Sequence, residues 1–285
     1  MVDRIGNAGV LGNALVWVGI IGYGSMGRML VEKLSKNKDT SLFVYNRTRE
    51  KLNVLAPEIT ICSSNSDLAS KVDIVIMCVR PFDIKQVLEE IADSARDETL
   101  IVSLNGSVSF ASMQKIVNHK MAKLIPSLTA EIEKSQTLFC FNEKASEDDK
   151  KNLMSLFKCM GDVILLPENE MGMGSELVSC MPGFIASIFD VLCSAAREHT
   201  SLPDEQIVSM VLNTMCATGE LMLSKNMNFE EVVTRVATKG GITEEGTKVV
   251  YEKFPEIAGQ LFERTLEKRR QTAVKAEELF NQSEE

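Results

Sequence analysis

Short apolar runs alternate with segments of helical periodicity over residues 17–166 of the chain. A short apolar run is typical of a buried strand, and apolar residues three or four positions apart are typical of one helix face. Regular alternation of the two predicts a doubly wound parallel sheet, because parallel strands are joined by crossover helices. The predicted strands cover residues 18–21, 42–45, 59–61, 72–79, 99–104, 121–125, 137–141 and 162–166.

The hydrophobic pattern changes at Pro167, beyond which apolar residues recur almost only at helical spacing. The predicted helices cover residues 171–200, with a kink at Pro182, and residues 204–222, 229–237, 243–254 and 256–281. We therefore expect three regions: an N-terminal extension over residues 1–16, a Rossmann-like α/β domain over residues 17–167, and an all-helical domain over residues 168–285. A helical domain this small and apolar favours packing against a second copy, so a homodimer or higher homo-oligomer is expected.

The net charge and the apolar runs of the chain limit which classes of partner it can bind. The 285 residues carry a formal net charge of −9, which disfavours a nucleic-acid partner, because phosphate backbones attract basic proteins. Residues 1–16 lack the basic start and long apolar core of a signal peptide, and no run approaches the ~18 apolar residues of a membrane span. We therefore expect a cytoplasmic protein without a membrane partner.

Cysteine and histidine usage argues against a metal site. The seven cysteines are scattered without a Cys-x-x-Cys pair, and most lie in apolar stretches. Such cysteines are typical of core residues in a reducing compartment rather than of disulfides or zinc ligands. The two histidines, His119 and His199, have no ligand-like neighbours in the sequence, so no metal is expected.

A glycine motif follows the first predicted strand and opens a helix at Arg28. It consists of Gly22, Tyr23, Gly24, Ser25, Met26 and Gly27. The first glycine of such a motif permits a tight turn, the second lets a pyrophosphate approach the backbone, and the third lets helix and strand pack closely. Because the motif opens a strand–helix–strand pattern and points a helix N-terminus at the phosphates, dinucleotide binding is favoured over a structural glycine turn.

The second predicted strand ends in Asn46, Arg47 and Thr48, and Asn46 lies 19 positions after Gly27. A site selective for NAD normally has Asp or Glu here to accept from the ribose 2′-hydroxyl. A guanidinium instead binds a 2′-phosphate through paired charge-assisted hydrogen bonds. We therefore expect NADP(H) as the cofactor, with NAD(H) as the alternative if Arg47 is only a solvated charge.

Later segments of the chain resemble the pyrroline-5-carboxylate reductase family over residues 17–270. Cys78-Val79-Arg80-Pro81 is similar to the Ala-Val-Lys-Pro that ends the fourth strand of these enzymes. Leu124-Ile125-Pro126-Ser127 is similar to their Met-Pro-Asn segment, and Val236-Ala237-Thr238-Lys239-Gly240-Gly241-Ile242-Thr243 is similar to their Val-x-Ser-Pro-Gly-Gly-Thr-Thr signature. Val178-Ser179-Cys180-Met181-Pro182 stands where the family has Ser-Gly-Ser-Gly-Pro.

The resemblance implies hydride transfer from a nicotinamide cofactor to a small cyclic imine carboxylate, which gives proline or an analogue. It also implies that the helical domains of two subunits interlock. Thr243 is then the catalytic residue at the substrate, and the further substrate-binding positions are Ser179, Lys239, Gly240, Gly241 and Ile242. The cofactor-binding residues near the nicotinamide are then Cys78, Val79, Arg80, Pro81 and Asn105.

The residues of the Gly-Gly-x-Thr segment fit an anion site on physical grounds as well. Thr243 can cap a helix that begins at Glu244, and the free N–H groups at a helix start attract a carboxylate. A plain helix cap without a ligand is the alternative reading of this segment. Arg80 and Lys239 can likewise be exposed charges rather than ligands.

The substrate segments depart from the family pattern. Both glycines of Ser-Gly-Ser-Gly-Pro are absent, and Lys239 and Ile242 replace a proline and a threonine. These changes are more similar to the competence-associated, ComER-type branch of the family than to the biosynthetic enzyme. Two alternatives therefore stay open: a reductase with another small substrate, and a nucleotide-binding regulatory protein without turnover. A β-hydroxyacid dehydrogenase is disfavoured, because residues 171–200 contain no lysine for its catalytic position.

Overall fold

The computed structural model describes residues 15–282, which form an eight-stranded sheet and ten α-helices. The strands are β1 (Val16–Ile21), β2 (Thr40–Tyr45), β3 (Thr60–Ile61), β4 (Ile74–Met77), β5 (Leu100–Ser103), β6 (Met121–Ile125), β7 (Ser135–Phe141) and β8 (Gly161–Leu165). The helices are α1 (Ser25–Leu34), α2 (Asn65–Ala69), α3 (Ile84–Ile91), α4 (Phe110–Met113), α5 (Glu147–Phe157), α6 (Met171–Ser175), α7 (Met181–Arg197), α8 (Asp204–Lys225), α9 (Phe229–Val236) and α10 (Ile242–Asn281).

The sheet has the strand order β3-β2-β1-β4-β5-β6-β7-β8 and is mostly parallel. All strand pairs from β3 to β6 are parallel, and β7 pairs with β8 in parallel, but β6 and β7 are antiparallel. The link between β6 and β7, residues 126–134, holds only the 3-10 turn Leu128–Ile132. Such a link is too short for a crossover helix, so the chain reverses at this edge of the sheet. The predicted Rossmann-like sheet is confirmed, and its uniform parallel pairing is wrong at this one place.

Both faces of the sheet are covered, as the apolar run of β4 requires. All four residues of β4 are buried, and they alternate between two apolar clusters. Val75 and Met77 belong to the cluster on one face, whereas Ile74 and Ile76 belong to the cluster on the other face. Since successive strand residues point to opposite faces, a strand buried on both sides reads as a continuous apolar run.

The chain divides into two compact units. The sheet unit comprises the residues up to Cys180 together with those from Glu267 onward, and the helical unit comprises Met181–Leu266. Ala276 and Phe280, near the end of α10, are buried in the apolar cluster that contains Met77. The predicted boundary between residues 167 and 168 stays a prediction. Most of the predicted extension, residues 1–14, lies outside the described residues, and Val16 is already part of β1.

Two prolines lie within the helical stretches that follow the sheet. A π-helical turn, Glu176–Cys180, precedes α7, whose second residue is Pro182, and the predicted kink at this proline stays a prediction. A proline ring clashes with the carbonyl four positions earlier, and widening the preceding turn relieves that clash. Pro255 lies inside α10, which runs unbroken over 40 residues, so the predicted division into two helices is wrong. A proline removes one helical hydrogen bond but leaves those on both sides, so it need not end a helix.

Two helical stretches are long and apolar enough to cross a membrane by length and composition. They are Glu168–Arg197, whose most apolar 18-residue window has a mean hydropathy of 1.7, and Asp204–Lys225, whose window has a mean hydropathy of 1.3. Polar residues interrupt both windows, so neither is a run of consecutive apolar residues, and the expected lack of a membrane partner stays a prediction. Only 6% of each apolar window is buried within one copy of the chain, so both stretches present uncovered apolar surface.

Candidate functional site

The glycine turn between β1 and α1 depends on the absence of side chains at two positions. Gly22 has φ +98°, and a Cβ there would lie 2.5 Å from the carbonyl oxygen of Cys78. A Cβ on Gly27 would lie 1.9 Å from the carbonyl oxygen of Gly22. Gly24 differs, since a Cβ there would have no protein atom within 4 Å. The first and third glycines are therefore needed for packing, and the second leaves open space beside the turn.

The N-terminus of α1 is free to bind an anion. No side chain caps it, and its first turn contains no acidic residue. The N–H groups and the positive end of the dipole at such a terminus favour phosphate. This electrostatic arrangement fits the pyrophosphate of a dinucleotide beside Gly24.

Asn46 joins the glycine turn to the end of β2. Its side-chain oxygen accepts a hydrogen bond from the N–H of Tyr23 at 2.9 Å, and its side-chain nitrogen donates to the carbonyl of Thr48 at 2.9 Å. The predicted Asn46 is thus a residue that positions two loops. It does so without placing a negative charge beside Arg47, which is exposed.

A cleft of about 420 Å³ opens in front of these loops, entirely within the sheet unit. Eight predicted cofactor residues line it: Gly22, Gly24, Asn46, Arg47, Thr48, Cys78, Val79 and Arg80. Six others do not line it: Tyr23, Ser25, Met26, Gly27, Pro81 and Asn105. Asn105 holds its own loop instead, accepting from the N–H of Ser107 at 2.6 Å.

Five polar residues of the cleft were missed by sequence reasoning: Lys51, Asn65, Asp83, Gln86 and Glu90. Lys51 follows Arg47 by four positions, and that spacing was the one signal that could have found it. The others lie in or next to α2 and α3, far from the glycine motif in sequence. Lys51 and Arg47 together make one part of the cleft basic.

The end of β4 forms the floor of the cleft. Burial raises the pKa of the Cys78 thiol to about 12, so this group is a neutral, protonated thiol near pH 7. Arg80 is largely exposed, and its Nε lies 3.0 Å from Oδ2 of Asp83. The floor of the cleft at Cys78 is therefore uncharged, and the guanidinium of Arg80 at its rim is paired with the carboxylate of Asp83.

The residues predicted to bind substrate are divided between the two units. Lys239, Gly240, Gly241, Ile242 and Thr243 lie together in the helical unit, at the turn into α10, whereas Ser179 lies in the sheet unit. Helix α10 begins at Ile242, so Thr243 lies inside its first turn and the expected cap before Glu244 is wrong. The helix starts earlier because Gly240, at φ +72°, turns the chain and Glu244 accepts from its N–H at 2.8 Å.

Two of the N–H groups expected to bind a carboxylate are already engaged. Besides the bond from Gly240 to Glu244, the N–H of Gly241 donates to the carbonyl of Thr238 at 2.9 Å. The N–H groups of Ile242 and Thr243 belong to the first helical turn and have no intrahelical acceptor. The space for an anion is therefore the start of α10 itself.

Ser179 lies in the π-helical turn, next to a buried ion pair. Glu176 is almost fully buried, and its Oε1 accepts from Nη2 of Arg269 at 2.8 Å. The same guanidinium nitrogen lies 3.2 Å from the hydroxyl of Ser175. The pair joins the π turn to the last part of α10, all within the sheet unit.

Across residues 15–282, no three His, Cys, Asp or Glu side chains lie close enough together to hold a metal ion. The seven cysteines are free thiols. The Nε2 of His119 is 3.1 Å from the carbonyl oxygen of Arg96, away from the cleft.

Comparison with known proteins supports the division into a nucleotide-binding and a helical part. Residues 17–106 match the family model described as "NADP oxidoreductase coenzyme F420-dependent". Residues 168–272 match the one described as "Pyrroline-5-carboxylate reductase dimerisation", so the helical region is a dimerisation domain. The cofactor class of the protein is accordingly a nicotinamide dinucleotide, NADP(H) or NAD(H).

Relatives and solved structures cover nearly the whole chain. Pyrroline-5-carboxylate reductase 3 of Bacillus subtilis is 32% identical over 88% of this chain and 94% of its own length. ComE operon protein 4 of the same organism is 24% identical over 87% of this chain and 93% of its own length. The fold matches that of the Plasmodium falciparum pyrroline carboxylate reductase solved with NADP bound, with a TM-score of 0.81 and 21% identity over 92% of this chain and all of the other. The chain therefore belongs to the pyrroline-5-carboxylate reductase family of NAD(P)-dependent oxidoreductases.

Proposed function

We propose that the protein is an NADPH-dependent reductase that acts on the C=N bond of a small cyclic imine carboxylate and gives proline or an analogue. The observation that carries the proposal is the cleft, where an uncapped helix N-terminus, open space at Gly24 and the cations Arg47 and Lys51 meet. The 32%-identical relative is named as a reductase of pyrroline-5-carboxylate.

The preference for NADP over NAD rests on charge at the end of β2. Arg47 and Lys51 both line the cleft, and the position that would carry an acidic residue in an NAD site is Asn46. Two cations attract a 2′-phosphate, and the neutral amide at Asn46 does not repel it. The adenosine ribose is therefore expected to lie against Arg47, Thr48 and Lys51.

The bound cofactor supplies the hydride, and the protein's part is to bind and orient. A protonated imine is already electrophilic, so no strong general acid is needed, and the neutral thiol of Cys78 does not act as one. In our proposal, the hydroxyl of Thr243 hydrogen-bonds the substrate ring nitrogen or carboxylate. The free N–H groups of Ile242 and Thr243 bind the carboxylate, with Lys239 as a further contact, and Ser179 of the sheet unit stays a predicted substrate residue.

We also propose that the dimerisation domain assembles the protein as a homodimer or a higher homo-oligomer in the cytoplasm. The exposed apolar side chains of α7 and α8 support this, since Val191, Leu212 and Leu223 are each half or more exposed in a single copy. A second copy that covers these helices removes the apolar surface from water without a membrane.

The test of the function is oxidation of NADPH by the purified protein when pyrroline-5-carboxylate is added, followed at the nicotinamide absorbance. We expect turnover in the unaltered protein and a strong loss in Thr243→Ala, with NADPH binding retained. Thr272→Ala, a change later on the same helix, serves as the matched control. Failure of the unaltered protein to oxidise NADPH with this or any related cyclic imine would overturn the reductase proposal.

A second candidate is an NADP-binding regulatory protein without turnover. The bond between Glu244 and the N–H of Gly240 favours it, because a carboxylate of the chain itself occupies part of the expected anion site. The 24%-identical relative named ComE operon protein 4 adds to this candidate. Tight NADPH binding without oxidation by any cyclic imine would favour it over the reductase.

A further inference from the structure

A buried ion pair joins the π turn to the last part of α10. Glu176, the first residue of this turn, is 1% exposed, and its Oε1 accepts from both Nε and Nη2 of Arg269, at 3.1 Å and 2.8 Å. The two residues are 93 positions apart in the chain. Neither of them lines the cofactor cleft, so the pair has no direct part in the proposed cofactor site.

The guanidinium of Arg269 contacts the turn at both ends. Its Nη2 lies 3.2 Å from the hydroxyl oxygen of Ser175, just before the turn, and 3.7 Å from Sγ of Cys180, the last residue of the turn. A planar guanidinium presents its N–H groups in fixed directions, so contacts at both ends fix the shape of the turn. Ser179, the residue predicted to contact substrate, lies inside the segment that is held in this way. Single π turns are rare and occur frequently at functional sites.

The pair is not an arrangement that stability alone favours. Oε2 of Glu176 is buried and accepts no hydrogen bond from any part of the chain that the structure describes. Gly172 leaves room for the arginine, since a Cβ there would lie 3.3 Å from Cδ of Arg269. A buried acceptor without a donor costs free energy, and apolar residues of similar volume often replace a buried ion pair without loss of stability. The contacts of the guanidinium therefore point to a role in fixing the position of the turn.

We propose that Glu176 and Arg269 are positioning residues of the reductase, which hold the π turn so that the hydroxyl of Ser179 meets the substrate. Glu176 orients the guanidinium, and the guanidinium in turn fixes the backbone that carries Ser179. This inference rests on the proposed function and on the predicted contact of Ser179 with substrate. It adds two residues that affect turnover without touching substrate or cofactor.

The experiment is steady-state kinetics of NADPH oxidation with pyrroline-5-carboxylate, on the full chain and on the double variant Glu176→Leu with Arg269→Met. The apolar pair is of similar volume and removes both charges, so the variant should fold and bind NADPH with an unchanged dissociation constant. The turn is then no longer held at both ends, and we expect KM for the imine to rise about tenfold with little change in kcat. A pair with a structural role alone would leave KM unchanged.

Ser179→Ala tests whether the pair acts through this serine. We expect Ser179→Ala to raise KM in the unaltered protein but to add nothing in the double variant, because two changes that act through one contact are not additive. Additive effects would show that the pair does not act through Ser179, and would overturn the proposal.

Arg269→Lys decides the question even if the double variant fails to fold. A lysine keeps the charge but has one nitrogen, which cannot contact both ends of the turn, so this variant should also raise KM while it binds NADPH normally. Arg270→Met is the matched control, since Arg270 neighbours Arg269, is exposed and pairs with Glu267 at 2.8 Å. This control should keep KM.

The outcomes separate the inference from the proposed function. An unchanged KM in either variant of Arg269 would overturn the inference alone. No oxidation of NADPH by the unaltered protein would overturn the proposed function and the inference together.

Discussion

The side-chain oxygen of Asn46 accepts a hydrogen bond from the N–H of Tyr23 at 2.9 Å, so one residue at the end of β2 holds the glycine turn that follows β1. The same side chain donates to the carbonyl of Thr48, beside Arg47. The turn proposed to bind the pyrophosphate and the loop proposed to bind the 2′-phosphate are thereby linked through a neutral amide. Replacing Asn46 by a charged residue of the same shape therefore tests its electrostatic role while it keeps the hydrogen bond from Tyr23.

Asn46→Asp keeps the acceptor for Tyr23 and adds a negative charge next to Arg47. We expect NADPH binding to weaken by about tenfold, because the new carboxylate repels the 2′-phosphate and pairs with the arginine. NADH binding should stay the same or improve, since a carboxylate accepts from the free 2′-hydroxyl. Fluorescence titration with both cofactors gives the two dissociation constants. An equal loss for both cofactors would mean that the change acts through the fold of the turn.

Gly24→Ala and Gly27→Ala each add one methyl group to the same turn. We expect the first to weaken cofactor binding and the second to lower the free energy of unfolding. The methyl group at Gly24 meets no protein atom, so the free energy of unfolding should not change, but NADPH binding should weaken by more than about tenfold. The methyl group at Gly27 would meet the carbonyl of Gly22, so this variant should lose about 3 kcal/mol of stability. Urea denaturation and cofactor titration measure the two effects. A Gly24→Ala variant that binds NADPH normally would contradict the assigned position of the pyrophosphate.

Lys123 is among the largest of the fully buried side chains that the structure describes, and its Nζ lies 2.5 Å from Oε1 of Glu168. The same carboxylate oxygen accepts from the N–H of Phe110 at 2.9 Å. Glu168→Ala would leave a buried ammonium group without its partner, so we expect a loss of about 3 kcal/mol in the free energy of unfolding. Lys123→Met should cost less, because Glu168 is partly exposed and can be hydrated. Urea denaturation, with the exposed Lys36→Met as control, checks the order of the two losses.

Asp149 couples stability to pH. Burial on its own raises the pKa of this carboxyl, but hydrogen bonds from Lys120 and Ser146 outweigh it and the pKa is lowered overall. A carboxyl with a lowered pKa in the folded state stabilises the protein above its unfolded pKa of about 3.9, and the effect is lost as the pH falls through the folded value. We therefore expect Asp149→Asn to cost about 1 kcal/mol at pH 7 and less at pH 2.

Denaturation at the two pH values tests the Asp149 prediction. Asp148→Asn is a suitable control, because Asp148 lies in the same first turn of α5 but is exposed. A cost for Asp149→Asn that is the same at both pH values would show that the carboxyl does not act through its charge.

Val191 lies on α7 and is 67% exposed in one copy of the chain. If α7 packs against a second copy, a buried glutamate at this position would be unpaired, and the homo-oligomer should dissociate. We expect Val191→Glu to shift the mass measured by light scattering to that of a smaller species. Glu198→Lys, on exposed surface just beyond α7, should leave the mass unchanged.

The sequence predicted the parts of the site that depend on local spacing. Gly22, Gly24 and Gly27 lie within one turn, and Asn46 follows at the distance that one helix and one strand require, so both could be located without a structure. Asn65 and Glu90 could not, because they are 25 positions apart and meet only when α2 packs beside α3. No pattern within either helix indicates which of its polar side chains faces the cleft.

Each error in the predicted fold has a physical cause that the pattern of apolar residues does not show. The antiparallel pairing of β7 follows from the length of the link after Ile125, which a rule based on alternating strands and helices ignores. Pro255 was expected to end a helix, although an exposed position tolerates the lost hydrogen bond. The π turn at Glu176–Cys180 was not predicted either, although the Pro182 ring that follows it clashes with the carbonyl four positions earlier.

The return of the last helix to the sheet unit has a consequence for biosynthesis. Ala276 and Phe280 fill part of the apolar cluster that contains Met77, yet the ribosome adds them after the whole helical unit has been made. A nascent chain that has emerged as far as Leu266 therefore has all eight strands but an unfilled gap in the cluster beside them. The sheet unit therefore cannot complete its packing during translation until the whole helical unit has left the tunnel.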